Sequence, residues 1–199
     1  MGKRAFAFCI CPIVTAFRTL TIIPVPGKET DDFPLSIGGF PLVGLFLGGV
    51  VSLFYCVVQP WTASMSSLFV LLALATESFL TGALHLDGLG DCADAFPGKS
   101  NRERILEILK DSRMGTFGIC AIVFDLLFKF VLWSFWFEHG RISPVIISLL
   151  LSAAVVTVLW AVYCKGKIGG ITGDCLGALN EIVEVTVPLT AAVLSTDVI

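Results

Sequence analysis

Charged side chains are scarce in this 199-residue chain. There are thirteen Lys and Arg and sixteen Asp and Glu, 15% of the sequence, where a soluble domain carries about 25%. Twenty-nine charges cannot coat a globule of this size, which argues against a water-soluble fold. A surplus of basic residues is missing too: the net charge is -3 and the pI about 5.3, so no nucleic-acid partner is expected. Long polar stretches are absent and 56% of the residues are hydrophobic, which excludes a disordered chain. No small-residue cleavage site cleanly follows the apolar N-terminus, as a signal peptide requires. Cysteine itself is not lacking, but paired Cys/His spacing is, and with it any zinc site or disulfide framework. Cys9, Cys11, Cys56, Cys120 and Cys164 lie in apolar runs, as small buried hydrophobes do. Cys92 and Cys175 lie in polar segments, and all seven read as structural or incidental.

What the chain does hold is continuous apolar sequence, with a mean hydropathy of +0.91. Membrane β-barrels alternate apolar and polar residues, whereas these runs are unbroken and read as helices. Spanning takes about 20 apolar residues. Ile37–Val58, Trp61–Leu84, Gly115–Phe137 and Pro144–Tyr163 meet that length, the first two separated by a tight turn at Gln59-Pro60. Ile182–Leu194, interrupted by Glu184 and Pro188, reads as a tilted or partial fifth span. Gly44 and Gly48 form a small-xxx-small pair that lets a second helix approach closely, or simply belong to a glycine-rich helix. Ala5–Ile23 is apolar but broken by Pro12 and Arg18 and stopped by Pro24-Val25-Pro26. It reads as a helix lying in the interface or partly inserted, within an N-terminal segment 1–36. The expected fold is therefore all-α: a polytopic integral membrane bundle of about four to six segments, forming one domain over 1–199. The lipid bilayer is its surroundings, and a homo-oligomer is compatible with the sequence.

Basic residues orient the bundle. Lys3, Arg4, Arg18 and Lys28 precede the first firm span. Lys99, Arg102, Arg104, Lys110 and Arg113 lie between the second and third, and Lys165 and Lys167 follow the fourth. Only Arg141 lies between the third and fourth. The positive-inside rule puts the first three groups in the cytoplasm.

The scarce charge is concentrated. Residues 85–114 hold eleven of the twenty-nine charged side chains and form a cytoplasmic catalytic segment. It opens with His85, and Asp87, Asp91 and Asp94 follow at i, i+4 and i+7, which on a helix share one face. Three like charges on one face need a cation, and hard oxygen ligands suit Mg²⁺ or Mn²⁺. Magnesium binds through one or two carboxylates plus substrate phosphates, so the cluster points to a phosphate-bearing substrate. The competing reading is a solvated acidic loop, which has no need of this spacing beside a histidine. His85 is either a general base or a hydrogen-bonding partner at the membrane surface.

Two further polar islands fall on the cytoplasmic side. In Asp111-Ser112-Arg113-Met114-Gly115-Thr116-Phe117-Gly118 the arginine can clamp a phosphate bidentately, and Asp111 or Ser112 can equally cap the third span. Gly169 to Ala178 is a glycine-rich loop containing Gly173 and Asp174, followed by Asn180 and Glu181. Within the third span, Asp125 and Lys129 stand at i, i+4 and read as a structural pair.

His85-Leu86-Asp87-Gly88-Leu89-Gly90-Asp91, with Asp94, resembles the signature of the cobalamin synthase family, the adenosylcobinamide-GDP ribazoletransferases. Leu106 to Thr116 looks like that family's second block and Gly170 to Ala178 like its C-terminal block; Leu20 to Pro26 and Phe40 to Gly44 also fit. The resemblance implies a magnesium-dependent transferase of the cytoplasmic (inner) membrane of a prokaryote, joining adenosylcobinamide-GDP to α-ribazole or its 5′-phosphate. It implies Asp87, Asp91, Asp94 and Asp174 as metal ligands. Asp111, Ser112, Arg113, Gly173 and Asp174 would bind substrate, and His85 or one aspartate would take the hydroxyl proton. Against the family the chain is short: Trp136 to Lys165 passes through a single span where members carry another membrane segment and a polar, arginine-bearing stretch. Other readings are a phosphotransferase of the CDP-alcohol type, an inactive relative, and a transporter-like scaffold. The first usually carries Asp-Gly-x-x-Ala-Arg, and no Arg follows Asp87-Gly88 in that way. A transporter is expected to show midplane polar groups and repeats.

Overall fold

The computed structural model describes residues 2–31, 33–62, 66–98, 101–139 and 146–195. Lys99, Arg141 and Pro144, used above for orientation and span limits, lie outside them. Among the described residues every regular element is an α-helix. The chain divides into two compact units, Met1–Ala83 and Leu84–Ile199, where the sequence reads as one domain. The division falls directly in front of the acidic segment.

The first unit holds α1 (Gly2–Leu20), α2 (Phe33–Ile37), α3 (Phe40–Thr62) and α4 (Ser66–Leu80). α1 runs through Pro12 and stops where Pro24 and Pro26 withhold backbone donors. The chain after it folds back on the helix: Arg18 donates to the Val25 carbonyl at 2.9 Å and pairs with Glu29 at 2.8 Å. Thr30 N donates to Thr15 Oγ1 at 2.9 Å, and Ile22 N to the Leu80 carbonyl at 2.9 Å, tying this segment to the end of α4.

Two sequence expectations change in this unit, and one open alternative is decided. α3 continues as helix through Gln59-Pro60, so the tight turn expected there does not form; a proline so near a helix end costs few internal bonds. α4 has 15 residues rather than the expected Trp61–Leu84, short of a full crossing by itself. Among the described residues a Cβ added at Gly44 or Gly48 would meet nothing within 4 Å, so of the two readings of that pair the plain glycine-rich helix is the one that fits.

The second unit holds α5 (Leu84–Ala95), α6 (Arg102–Ile108), α7 (Thr116–His139), α8 (Ile146–Ile168) and α9 (Gly173–Ser195). α5 packs between α7 and α9, α8 packs on α9, and α6 covers α5 and α8. One buried cluster holds this end together: Cys92, Ala95 and Phe96 meet Ile105 and Leu109, Cys164 and Ile168, and Cys175 and Ala178. Burying a side chain such as Ile105 contributes about 1.5–3 kcal/mol. Trp160 Nε1 donates to the Cys175 carbonyl at 2.7 Å and Lys167 Nζ to the Phe96 carbonyl at 3.0 Å. Cys92, Cys164 and Cys175 are free and serve here as core; of the described cysteines in apolar runs only Cys164 is buried as expected, while Cys56 and Cys120 are free and exposed on their helices.

Among the described residues four helices are long and apolar enough to cross a membrane: Pro34–Val58, Thr116–Phe137, Leu150–Ile168 and Gly173–Leu194. Their faces are strongly exposed, with Leu45, Phe117, Val131, Leu159 and Val193 among the uncovered apolar side chains, as lipid contact requires. This is an all-α, multi-pass membrane protein. The last span is complete rather than partial: α9 holds Pro188 inside the helix, and Glu184 is paired with Lys129 at 2.6 Å. Trp136 Nε1 donates to the Pro188 carbonyl at 3.1 Å and pins α7 to α9 there.

Candidate active site

α5 is helical from Leu84 to Ala95, so Asp87, Asp91 and Asp94 do share a helix, one and two turns apart. Its buried positions are Gly88, Gly90, Cys92 and Ala95, small residues that bring neighbouring backbones close. A Cβ at Gly88 would lie 2.7 Å from the Asp174 carbonyl oxygen, and one at Gly177 would lie 3.3 Å from His85 Cα. Advancing along α5 from His85 to Gly88 therefore retreats along α9 from Gly177 to Asp174: the two helices cross antiparallel in backbone contact. Asp174 is thereby carried to the acidic helix.

Asp174 stands in the first turn of α9, where a carboxylate is favoured by the helix dipole. Thr172 caps that turn, accepting from Cys175 N at 3.3 Å, and Gly173 opens the helix. Only Gly169–Thr172 of the expected glycine-rich loop is non-helical.

The carboxylates feel one another. Asp91 is pushed up to about 6, first by partial burial and then by the charges of Asp87, Asp174 and Asp94. Asp87 is exposed, and Asp91, Asp94 and Asp174 are half-buried. Among the described residues no three His, Cys, Asp or Glu side chains are placed to enclose a metal ion by themselves.

Asp94 has a further task. Its Oδ2 accepts from Gly115 N at 2.6 Å and its Oδ1 from Gly118 N at 2.9 Å, so it caps α7 from a different helix. Sequence spacing pointed to Asp111 or Ser112 as that cap. Instead α7 begins later, at Thr116, and a distant carboxylate satisfies its first donors.

Asp111 binds Arg113 in a fork, with Nη2 donating to Oδ2 at 2.6 Å and Nε to Oδ1 at 2.9 Å. These hydrogen bonds hold Asp111 down at about 2 and raise Arg113. The Arg113 side chain is 87% exposed, and Ser112 beside it is exposed as well. The structure thus joins Arg113 to Asp111, while Asp87, Asp91 and Asp174 gather around the α5–α9 crossing.

His85 faces α9. Its Nδ1 lies 3.1 Å from Asn180 Nδ2, which also donates to Glu184 Oε1 at 2.5 Å. Burial lowers the His85 pKa; Glu184 opposes that shift and Lys129 adds to it. The pair read from i, i+4 spacing is part of something larger, because Lys129 meets Asp125 at 3.3 Å, Glu184 at 2.6 Å, and Glu181. Glu181 and Glu184 were in view in the sequence, but nothing local showed that Lys129, 52 and 55 positions earlier, was their partner.

Acids gathered at the crossing of two helices in a membrane bundle, with an arginine exposed in the segment before α7, are the residue types of a membrane enzyme of the phosphate-handling class. The cobalamin-5-phosphate synthase family model matches residues 12–152 and 131–192. The chain belongs to that family. It is 34% identical to an adenosylcobinamide-GDP ribazoletransferase of Chlorobaculum parvum, over 90% of this chain and 94% of that one. It is 31% identical to the protein of that name from Clostridium tetani, over 83% of this chain and 89% of that one. With the Prosthecochloris aestuarii protein it shares 38% identity over 79% of this chain and 62% of the relative. No solved structure matches. The Chlorobaculum alignment runs over 241 positions, more than this chain possesses, and the two family matches overlap on 131–152. Both observations agree with an internal stretch that relatives carry and this chain lacks near the α7–α8 connection.

Proposed function

We propose that this chain joins adenosylcobinamide-GDP to α-ribazole or α-ribazole 5′-phosphate at the cytoplasmic face of a prokaryotic inner membrane. The last assembly step of cobalamin synthesis is the reaction. A ribose hydroxyl oxygen forms a bond to the cobinamide-side phosphorus of the pyrophosphate. The bridging P–O bond breaks, GMP leaves with the electron pair, and the hydroxyl proton is lost. The products are adenosylcobalamin, or its 5′-phosphate, and GMP.

The observation that carries this reading is that the three family blocks converge in one unit. The His85–Asp94 helix lies against the Asp174 end of α9, and Asp94 caps the helix that follows the Arg113 block. Asp87, Asp91 and Asp174 are hard oxygen donors in mutual repulsion, without a closed protein cage. That donor set fits a Mg²⁺ ion that completes its shell with substrate phosphate. Bound Mg²⁺ supplies charge neutralisation on the pyrophosphate oxygens. Asp94, with both oxygens already accepting backbone N–H bonds, positions α7 beside that set. Arg113 offers its exposed guanidinium to a phosphate, and Asp111 and Ser112 flank it.

The test is release of GMP from adenosylcobinamide-GDP by the purified full chain in lipid, with α-ribazole and with or without Mg²⁺. Magnesium-dependent release that falls sharply in Asp91→Asn is the expected result. Absence of release under any divalent metal would make the chain an inactive relative.

A further inference from the structure

The contacts around His85 fix more than its position. Lys129 is buried and forms an ion pair with Glu184, donating to Oε2 at 2.6 Å. The other oxygen, Oε1, must therefore accept from Asn180, and it lies 2.5 Å from Asn180 Nδ2. Turning the amide over would set Asn180 Oδ1 against that carboxylate oxygen, two acceptors facing each other, so the amide has one orientation. The same Nδ2 carries the hydrogen that faces His85 Nδ1 at 3.1 Å. A ring nitrogen that meets an N–H donor must present its lone pair. Neutral imidazole has a single N–H, and here that leaves it on Nε2.

We infer that Asn180, held by Glu184 and Lys129, sets His85 as a hydrogen-bond donor through Nε2 and takes it out of the role of general base. A histidine base needs the opposite arrangement: an acceptor holding Nδ1–H, so that Nε2 is free to receive a proton. Here His85 has an N–H to offer a phosphoryl or leaving-group oxygen, and the attacking hydroxyl must lose its proton to a carboxylate or to water. Asn180, Glu184 and Lys129 are positioning residues acting through this ring. The part concerning substrate rests on the function proposed above; the tautomer does not.

The chain has two histidines, so His139→Gln leaves His85 as the single one. In that full-length protein, ¹⁵N-imidazole labelling and two-bond ¹⁵N–¹H correlations at about pH 8.5, above the ordinary histidine range, report which nitrogen is protonated. The expected result is Nε2–H with an unprotonated Nδ1. In the double variant Asn180→Asp with Glu184→Gln, a carboxylate replaces the donor and an amide faces it, so the proton should move to Nδ1. A wild-type ring protonated at Nδ1 would overturn the inference whether or not the variant folds, as would a tautomer unmoved in a folded double variant. A second arm reads activity. His85→Gln keeps an N–H near the Nε2 position but no base. It should retain kcat within about tenfold of wild type, where loss of a true base costs about 10²- to 10⁴-fold. A glutamine variant as impaired as His85→Ala would overturn the donor role. Wild-type protein that releases no GMP would refute the proposed reaction and leave the tautomer measurement standing.

Discussion

Asp94 and Gly118 are joined across two helices: the carboxylate Oδ1 accepts from Gly118 N at 2.9 Å while Oδ2 accepts from Gly115 N at 2.6 Å. The first donors of a transmembrane helix are thus satisfied by the third acid of the signature segment. Removing that acceptor leaves two backbone N–H groups unpaired in a half-buried site. Asp94→Ala should lower stability by about 1–2 kcal/mol, the size of a lost N-cap. Asp94→Asn keeps one acceptor oxygen and should cost less. Unfolding in detergent of graded denaturing strength measures both. An alanine variant as stable as wild type would mean that α7 does not depend on this cap.

The antiparallel crossing of α5 and α9 makes an equally specific demand. A methyl group at Gly88 would stand 2.7 Å from the Asp174 carbonyl oxygen, a backbone atom that cannot swing aside. Gly88→Ala should therefore destabilise by about 1–3 kcal/mol and displace Asp174 from the α5 acids, lowering activity with it. Gly173→Ala is the control: its Cβ would meet nothing within 4 Å, and alanine is the better helix former. Melting temperatures of the two variants should separate in that order.

These two relationships also mark where sequence reasoning reached and where it stopped. The i, i+4, i+7 aspartates, the third and fourth spans and the membrane class were legible because helical period and apolar run length are local properties. The division of Asp94's work was not, since its partners lie 21 and 24 residues away and one carboxylate looks like another in sequence. The last span read as partial because Glu184 and Pro188 count against insertion. Lys129 and Trp136, supplied by α7, offset them, and an interhelical partner leaves no periodic trace. The tight turn at Gln59-Pro60 failed for the converse reason: a local breaker signal was overridden inside a long apolar helix.

Lys129 is the sole cation in contact with Asp125, Glu181 and Glu184 among the described residues, and it is buried. Taking it away leaves buried acid without a counter-charge, a change that costs about 3–5 kcal/mol in comparable settings. Lys129→Met should fall in that range or fail to accumulate. Lys129→Met combined with Glu181→Gln and Glu184→Gln should recover part of the loss, because the uncompensated charge goes with its partners. Expression level and unfolding midpoint of the three-site variant against the single variant decide the point; a three-site variant no better than the single one would show that charge balance is not what the cluster supplies.

Arg113 is exposed but not idle, since Asp111 occupies the Nε–Nη2 edge of its guanidinium. A substrate phosphate must bind beside this acid or displace it, and the acid is held at about 2, so it stays ionised at every working pH. The sign of the linkage follows: the depressed value makes the pair's contribution fully present above the ordinary Asp range and lost only as pH falls from about 4 toward about 2. Titration of this pair therefore cannot move KM between about pH 6 and pH 8. Asp111→Asn removes a negative neighbour and frees the fork, so KM for adenosylcobinamide-GDP should fall. Arg113→Lys keeps the charge but loses the planar fork, and KM should rise. The ratio of each variant's KM to that of wild type should stay flat across that pH interval. Steady-state GMP release measures all three. A rise in KM in both variants would mean that Asp111 serves to hold Arg113 in place for the phosphate, not to compete with it.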